Sequence, residues 1–207
     1  MTLSKKIFYN YLSIKNMDIY TVSNSTKSEL ENILKKKINL LPFIVNTDVF
    51  YPVKKRKNNK FTVIFVGRIE LEKNINEIIE LQNFFNFTLL LVGKGNEIDN
   101  IKRKHKNKDI LYMGNVNNNE LYKYYNYADL FINPSKTETM GFTTLEAMAC
   151  KLLVLGRNEN GTKDIIKHNQ NGLLYNNFEE LKFYFNKIYQ NKNDFEKIYL
   201  IFLSKKN

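Results

Sequence analysis

Phe61–Val66 (FTVIFV) is a continuous apolar run of strand length, closed abruptly by Gly67-Arg68. A run of this kind suits a strand covered on both faces, as in parallel sheets wrapped by helices. The same unit then repeats. The pattern predicts a helix over Asn74–Phe84, a strand over Phe87–Val92 ending on Gly93-Lys94-Gly95, and a helix over Glu97–Lys106. It continues with a strand over Asp109–Met113, a helix over Asn119–Tyr127 and a strand over Leu130–Asn133. After a turn over Pro134–Gly141 come a helix over Phe142–Ala149, a strand over Leu152–Gly156 and an Asn/Gly-rich loop over Asn158–Asp164. A short strand over Gly172–Tyr175 and helices over Phe178–Gln190 and Asp194–Leu203 complete the chain. Alternation at this spacing, with right-handed crossovers, predicts an α/β fold with a Rossmann-like, doubly wound parallel sheet.

The N-terminal segment reads differently. Asp18–Ser23 predicts a short strand, Ser25 the N-cap of a helix over Thr26–Lys36, and Ile38–Val45 a second apolar run. Asn46–Pro52 and the polar stretch Val53–Lys60 follow and read as a linker. Four segments are therefore expected: 1–52, a polar linker 53–60, the sheet domain 61–190 and a C-terminal helix 191–207.

Composition excludes several function classes. The formal net charge is +11, but it comes from 28 Lys against 4 Arg in a chain that also holds 31 Asn. A surface that reads phosphates enriches Arg for its bidentate fork, so the excess reads mainly as solvated Lys faces. Attraction to anionic lipid headgroups comes second, and no specific nucleic-acid partner is expected. No apolar run approaches the roughly 20 residues needed to cross a bilayer. Met1–Leu12, interrupted by Lys5, Lys6 and Asn10, makes a poor signal peptide. A single cysteine, Cys150, forbids an internal disulfide, and His105 and His168 lack ligand-spaced partners. A cytoplasmic location, with peripheral contact at the membrane face, is the expectation.

In doubly wound sheets ligands sit beyond the carboxyl ends of the strands. After the first strand come Gly67-Arg68 and then Lys73-Asn74, two cations beside a glycine that allows close backbone approach. After the fourth come Glu138 in a loop, Gly141 opening a helix, and Glu146 about one turn inside it. The first-turn amides of Phe142, Thr143 and Thr144 would bind an anion, aided by the helix dipole. Each carboxylate can accept from a pair of vicinal hydroxyls. A nucleotide sugar carries a diol on either side of a diphosphate. The loop Asn158–Asp164 could add backbone amides, although such loops are most often turns.

These residues, with Val22–Ser25, Asn46–Pro52, Leu91–Gly95, Ala128–Phe131, Pro134-Ser135 and Asn171–Leu174, resemble the retaining GT-B glycosyltransferases of the large family 4 type. The resemblance runs from Asp18 to Tyr175, and its texture is nearest the glycolipid-forming branch that includes sulfoquinovosyl-diacylglycerol synthases. It implies a C-terminal, donor-binding domain, with 1–52 as a remnant of the N-terminal acceptor domain. It implies that Arg68 and Lys73 hold the donor diphosphate, that Glu146 binds the ribose hydroxyls and that Glu138 faces the sugar. Gly67, Gly141, Phe142 and Thr143 would line the donor, and Met113, Gly114 and Val116 would lie against the nucleobase. The implied donor is a UDP-sugar, bound with no cofactor and no metal, and the sequence contains no Asp-x-Asp motif.

The sequence departs from the family in lacking an acceptor half, in Asn46-Thr47-Asp48 without the usual linker glycine, and in Cys150-Lys151-Leu152. Three readings stay open: a donor-binding half working with a separate acceptor-domain chain; a truncated copy that binds nucleotide sugar without transfer; and a basic module for anionic lipid or nucleic acid.

Overall fold

The structure is a computed structural model that describes residues 17–41, 44–53, 60–138 and 140–191. It forms two compact units, 1–44 and 45–207. Most of the expected linker and the expected helix over Asp194–Leu203 lie outside the described residues.

In the first unit, β1 (Tyr20–Thr21) pairs in parallel with β2 (Asn39–Leu40), and α1 (Asn24–Leu34) connects them. The cap of α1 is Ser23 rather than the expected Ser25. Ser23 Oγ accepts from the Thr26 amide at 3.3 Å, and the helix starts two residues early. Lys35, in the left-handed conformation, ends it.

Among the described residues the second unit contains a six-stranded parallel sheet of order β5-β4-β3-β6-β7-β8. Its strands are β3 (Thr62–Val66), β4 (Thr88–Val92), β5 (Ile110–Gly114), β6 (Leu130–Asn133), β7 (Leu153–Arg157) and β8 (Leu173–Tyr175). The connections are a 3-10 turn (Leu71–Lys73) with α2 (Asn76–Leu81), then α3 (Ile98–Lys104), α4 (Asn118–Tyr127), α5 (Phe142–Ala149) and α6 (Asn160–Ile165), and α7 (Phe178–Gln190) is the last element among the described residues.

The period-2 alternation of each strand divides its apolar residues between two cores. Val63, Phe65, Leu89, Leu91, Leu130, Ile132 and Leu155 pack with Ile78 and Ile79 of α2, Ile101 of α3, and Leu181, Phe185 and Ile188 of α7. Ile64, Val66, Leu90, Val92, Phe131 and Val154 pack with Leu121 and Tyr125 of α4, with Ala147 of α5 and with Cys150, which caps α5. Burying a large apolar side chain contributes about 1.5–3 kcal/mol, so both cores hold the doubly wound sheet together. This is the α/β architecture the sequence predicts.

Two features fix the carboxyl ends of the strands. Arg157, at the end of β7, is held by Glu77 at 2.6 Å and Glu159 at 2.8 Å, and the Tyr175 hydroxyl donates to Glu77 Oε2 at 3.0 Å. The first turn of α2, just beyond Lys73, is thereby tied to the other half of the sheet. Gly93 donates its amide to the Gly114 carbonyl at 2.7 Å and has φ +141°, and a Cβ there would fall 1.9 Å from the Gly67 carbonyl oxygen. Gly93→Ala is expected to cost about 2–4 kcal/mol, from backbone strain plus overpacking. A urea midpoint equal to that of the unsubstituted chain would refute this.

Candidate functional site

The strand order reverses at β3, whose neighbours β4 and β6 lead the chain to opposite halves of the sheet. Such a switch point opens a crevice between the loops that leave the two central strands. Here it is a hollow of about 230 Å³ lined by Phe65, Val66, Gly67, Arg68, Lys73, Asn133, Glu138, Met140, Phe142 and Thr143. Six of the residues singled out from the sequence thus surround one space: Gly67, Arg68, Lys73, Glu138, Phe142 and Thr143.

Lys73 ends the 3-10 turn, and Asn74 follows at φ 53°, which turns the chain into α2. The loop after β6 is tied to this turn by the Lys136 amide, which donates to the Glu72 carbonyl at 3.3 Å. Lys73 Nζ lies 2.9 Å from Glu138 Oε2 and 3.4 Å from Ser135 Oγ. Glu138 Oε1 accepts the Gly141 amide at 3.2 Å. The two side chains are 12% and 19% exposed, so the pair is largely withdrawn from solvent screening. Glu138 is therefore both counter-ion to Lys73 and acceptor for the amide that precedes α5. Arg68 differs: its side chain is 74% exposed, and its contact with Glu72, at 3.6 Å, is a weak surface pair.

Asn133 braces the floor. Its amide donates to Thr144 Oγ1 at 3.2 Å and Thr162 Oγ1 at 3.4 Å, and its Oδ1 accepts from the Ser135 amide at 3.2 Å. All four residues are buried, so one side chain positions the starts of α5 and α6 and the loop that follows β6. Neither Asn133 nor Ser135 was singled out from the sequence as a site residue. The available signal was an Asn closing an otherwise apolar strand directly before Pro134-Ser135.

Gly141 has φ 58°, and a Cβ there would lie 2.7 Å from Ile165 Cδ1 and 3.8 Å from Glu138 Cγ. The glycine allows α5 to start close to the carboxylate. The Phe142 and Thr143 amides are first-turn donors with no intrahelical carbonyl to meet. Thr144 departs from the expectation, because its amide turns back to the Gly141 carbonyl at 2.9 Å. The expected loop Asn158–Asp164 contains α6, whose Thr162 and Ile165 are buried. Its Gly161 amide donates to the Glu138 carbonyl at 2.8 Å, and Asn160 Nδ2 donates to the Lys136 carbonyl at 2.8 Å. This segment supports the backbone of Glu138.

Glu146 lies one turn into α5, half-buried and outside the lining of the hollow. Burial pushes its carboxyl above the usual carboxylate range, opposed by a hydrogen bond from the Tyr125 hydroxyl to Oε2 at 2.8 Å. Burial, with the Glu146 charge, pushes the Cys150 thiol up to about 11, so it behaves as a packed thiol. Met113, Gly114 and Val116 lie at and beyond the end of β5, also apart from the hollow. The register slips there: Leu91 faces Tyr112 but Val92 faces Gly114, so Met113 is an extra residue. Such a bulge re-aims its side chain, and Met113 is 38% exposed. Val116 packs half-buried against the core beneath α4.

His105 is engaged by Asn76 at 3.2 Å, and His168 Nδ1 accepts the Leu174 amide at 2.9 Å. Among the described residues no three His, Cys, Asp or Glu side chains gather around a common point, and no helix is long and apolar enough to cross a membrane.

The chain is 30% identical over 193 residues to an alpha-monoglucosyldiacylglycerol synthase of Acholeplasma laidlawii, covering 86% of this chain and 46% of the relative. Its fold matches a sucrose-phosphate synthase from Thermosynechococcus elongatus with a TM-score of 0.82 at 20% identity, over 93% of this chain and 54% of that one. Anabaena HepE, solved in complex with UDP, superposes with a TM-score of 0.78 at 17% identity, over 90% of this chain and 57% of that one. The chain thus spans about half the length of the proteins it matches. Residues 48–199, which include the whole sheet and both carboxylates, match the family signature of the glycosyl transferases group 1, and the chain belongs to that family.

Proposed function

We propose that the chain is the donor-binding half of a retaining glycosyltransferase, taking a nucleoside-diphosphate sugar at the switch-point hollow. The observation that carries this reading is the Lys73–Glu138 pair held against the start of α5, with a cation, a carboxylate and first-turn amides around one space. The diphosphate lies against Lys73, Arg68 and the Phe142 and Thr143 amides, and the sugar hydroxyls meet Glu138. Glu146 accepts from the ribose diol, and the base runs along Met113–Val116. The hollow is below the roughly 300 Å³ of a typical ligand pocket, which suits the diphosphate and sugar with the nucleoside extending beyond it.

In the reaction the bond from the anomeric carbon to the diphosphate breaks and a bond to the acceptor oxygen forms on the same face. The acceptor proton passes to the departing phosphate. Lys73, Arg68 and the α5 amides stabilise the developing charge, as preorganised donors do at other leaving groups, and no divalent ion is required. A separate acceptor-domain chain presents the acceptor. The likeness to a glucosyldiacylglycerol synthase supports a lipid acceptor, and the net charge of +11 supports work at an anionic cytoplasmic membrane face.

Calorimetric titration of the chain with UDP-glucose, ADP-glucose and GDP-mannose in excess chelator tests this. At least one is expected to bind. Failure of all three would refute donor binding, and binding seen only after a divalent ion is added would refute the metal-free reading.

A further inference from the structure

Tyr125 stands apart from the other tyrosines of α4. Its ring is fully buried, edge-on to Phe50 at 6.0 Å and to Phe131 at 6.1 Å between ring centres. That much is core packing. Its hydroxyl, however, donates to Glu146 Oε2 at 2.8 Å and ties α4 to α5 through a half-buried carboxylate. A buried hydroxyl is costly to leave without an acceptor, so the bond has no cheap alternative. Among the described residues no other hydrogen bond reaches the Glu146 carboxylate, and Oε1 remains available to a ligand.

We propose that Tyr125 is a positioning residue for the donor: its buried hydroxyl holds one oxygen of Glu146 so that the other is presented, already oriented, to the ribose diol. This rests on the reading of Glu146 as the ribose acceptor. A glutamate has three side-chain torsions, and restraining them in the folded chain removes an ordering cost that binding would otherwise meet. The phenol also favours the ionised carboxylate, the form that accepts from two hydroxyls, against the burial that disfavours it.

The titratable groups facing Glu146 are few. Tyr125 comes from α4, and Cys150 lies one turn on from Glu146, at the cap that ends α5. Of the other elements packed on α5, β6 carries no titratable side chain. The Arg157 of β7 is held by Glu77 and Glu159, and α6 carries Lys163, exposed, and Asp164, half-buried. A change in the ionisation of Glu146 on removing the phenol is therefore readable.

The test measures affinity for UDP-glucose, ADP-glucose and GDP-mannose between pH 5 and 8. These diphosphate diesters stay ionised throughout, so only the protein titrates. Tyr125→Phe keeps the ring and removes the hydroxyl. It is expected to weaken the sugar nucleotide that binds about threefold to tenfold. The acidic limb, where affinity falls as Glu146 gains a proton, should move to higher pH. In a Glu146→Ala background the same substitution is expected to change affinity less than about twofold, since the group it acts through is gone.

Binding unaffected by Glu146→Ala would overturn the ribose reading and the positioning role with it. Binding weakened by Glu146→Ala but unmoved, in size and in pH profile, by Tyr125→Phe would overturn the positioning role alone. Should Tyr125→Phe fail to fold, Glu146→Asp withdraws the carboxylate from the phenol while keeping its charge, and affinity equal to the unsubstituted chain would overturn the role. Absence of binding to all three nucleotides by the unsubstituted chain would overturn both.

Discussion

Replacing Lys73 by Met is expected to weaken binding of a nucleoside diphosphate about a hundredfold or more. Two losses combine. The charge-assisted bond to phosphate contributes about 1.5–3 kcal/mol, and with the cation gone Glu138 keeps only the Gly141 amide while facing an anionic ligand from a site 19% exposed. Each 1.4 kcal/mol of lost attraction or added repulsion is tenfold in affinity, and breaking one side of a largely buried pair separately lowers folding stability by about 3–5 kcal/mol. The counterpart has the opposite sign for the free nucleotide. Glu138→Gln releases Lys73 from its counter-ion, so UDP should bind a few-fold more tightly while UDP-glucose loses the carboxylate that meets its sugar. The double variant should recover part of the Lys73→Met loss, because the repulsion between Glu138 and phosphate is gone. Titration calorimetry of the four proteins reads all of this. A Lys73→Met affinity for UDP within threefold of the unsubstituted chain would rule out contact between this lysine and the diphosphate.

The pair behind that expectation was only half legible in the sequence. Lys73 and Glu138 each stood out by lying after a strand, where a parallel sheet places its ligands, but that they bond each other across 65 residues follows from the strand order alone. β3, β4 and β6 were readable because runs buried on both faces are apolar without interruption, and β6 and α5 fall on their expected limits. The helix expected over Asn74–Phe84 forms only as the shorter α2, with a 3-10 turn over Leu71–Lys73 preceding it. Asn74 takes a left-handed conformation that Asn tolerates better than most residues. α6 was missed because six residues rich in Asn, Gly and Thr carry no helical periodicity, and buried Thr162 and Ile165 hold the turn in place. The Ser23-Asn24-Ser25 sequence offers two capping serines, and local hydrogen-bond geometry decides between them. Tyr125 is buried core of α4. The acceptor of its hydroxyl lies on another helix, 21 residues on, beyond the reach of local pattern.

The 207-residue polypeptide, assayed by itself, is expected to transfer no sugar, although slow hydrolysis of the donor would be compatible with the site. On the reading proposed above, the hollow at β3 and β6 takes the diphosphate and the sugar, and none of its lining residues is proposed to meet an acceptor hydroxyl. Orientation of two reactants can supply about 7–11 kcal/mol of a barrier, so a chain that positions the donor alone forgoes on the order of 10⁵–10⁸ in rate. Water adds to the loss. Arg68, 74% exposed, has its field screened unless a second protein surface covers it, and an uncovered donor meets water before an acceptor. The relatives this chain matches are about twice its length, which supports a second half as the missing surface. The assay incubates purified chain with radiolabelled UDP-glucose, ADP-glucose and GDP-mannose and with diacylglycerol and glycan acceptors, with and without a candidate acceptor-domain chain. Product that forms only with the second chain supports the split arrangement. Robust transfer by the polypeptide alone would refute it, and would mean that this one domain orients both substrates.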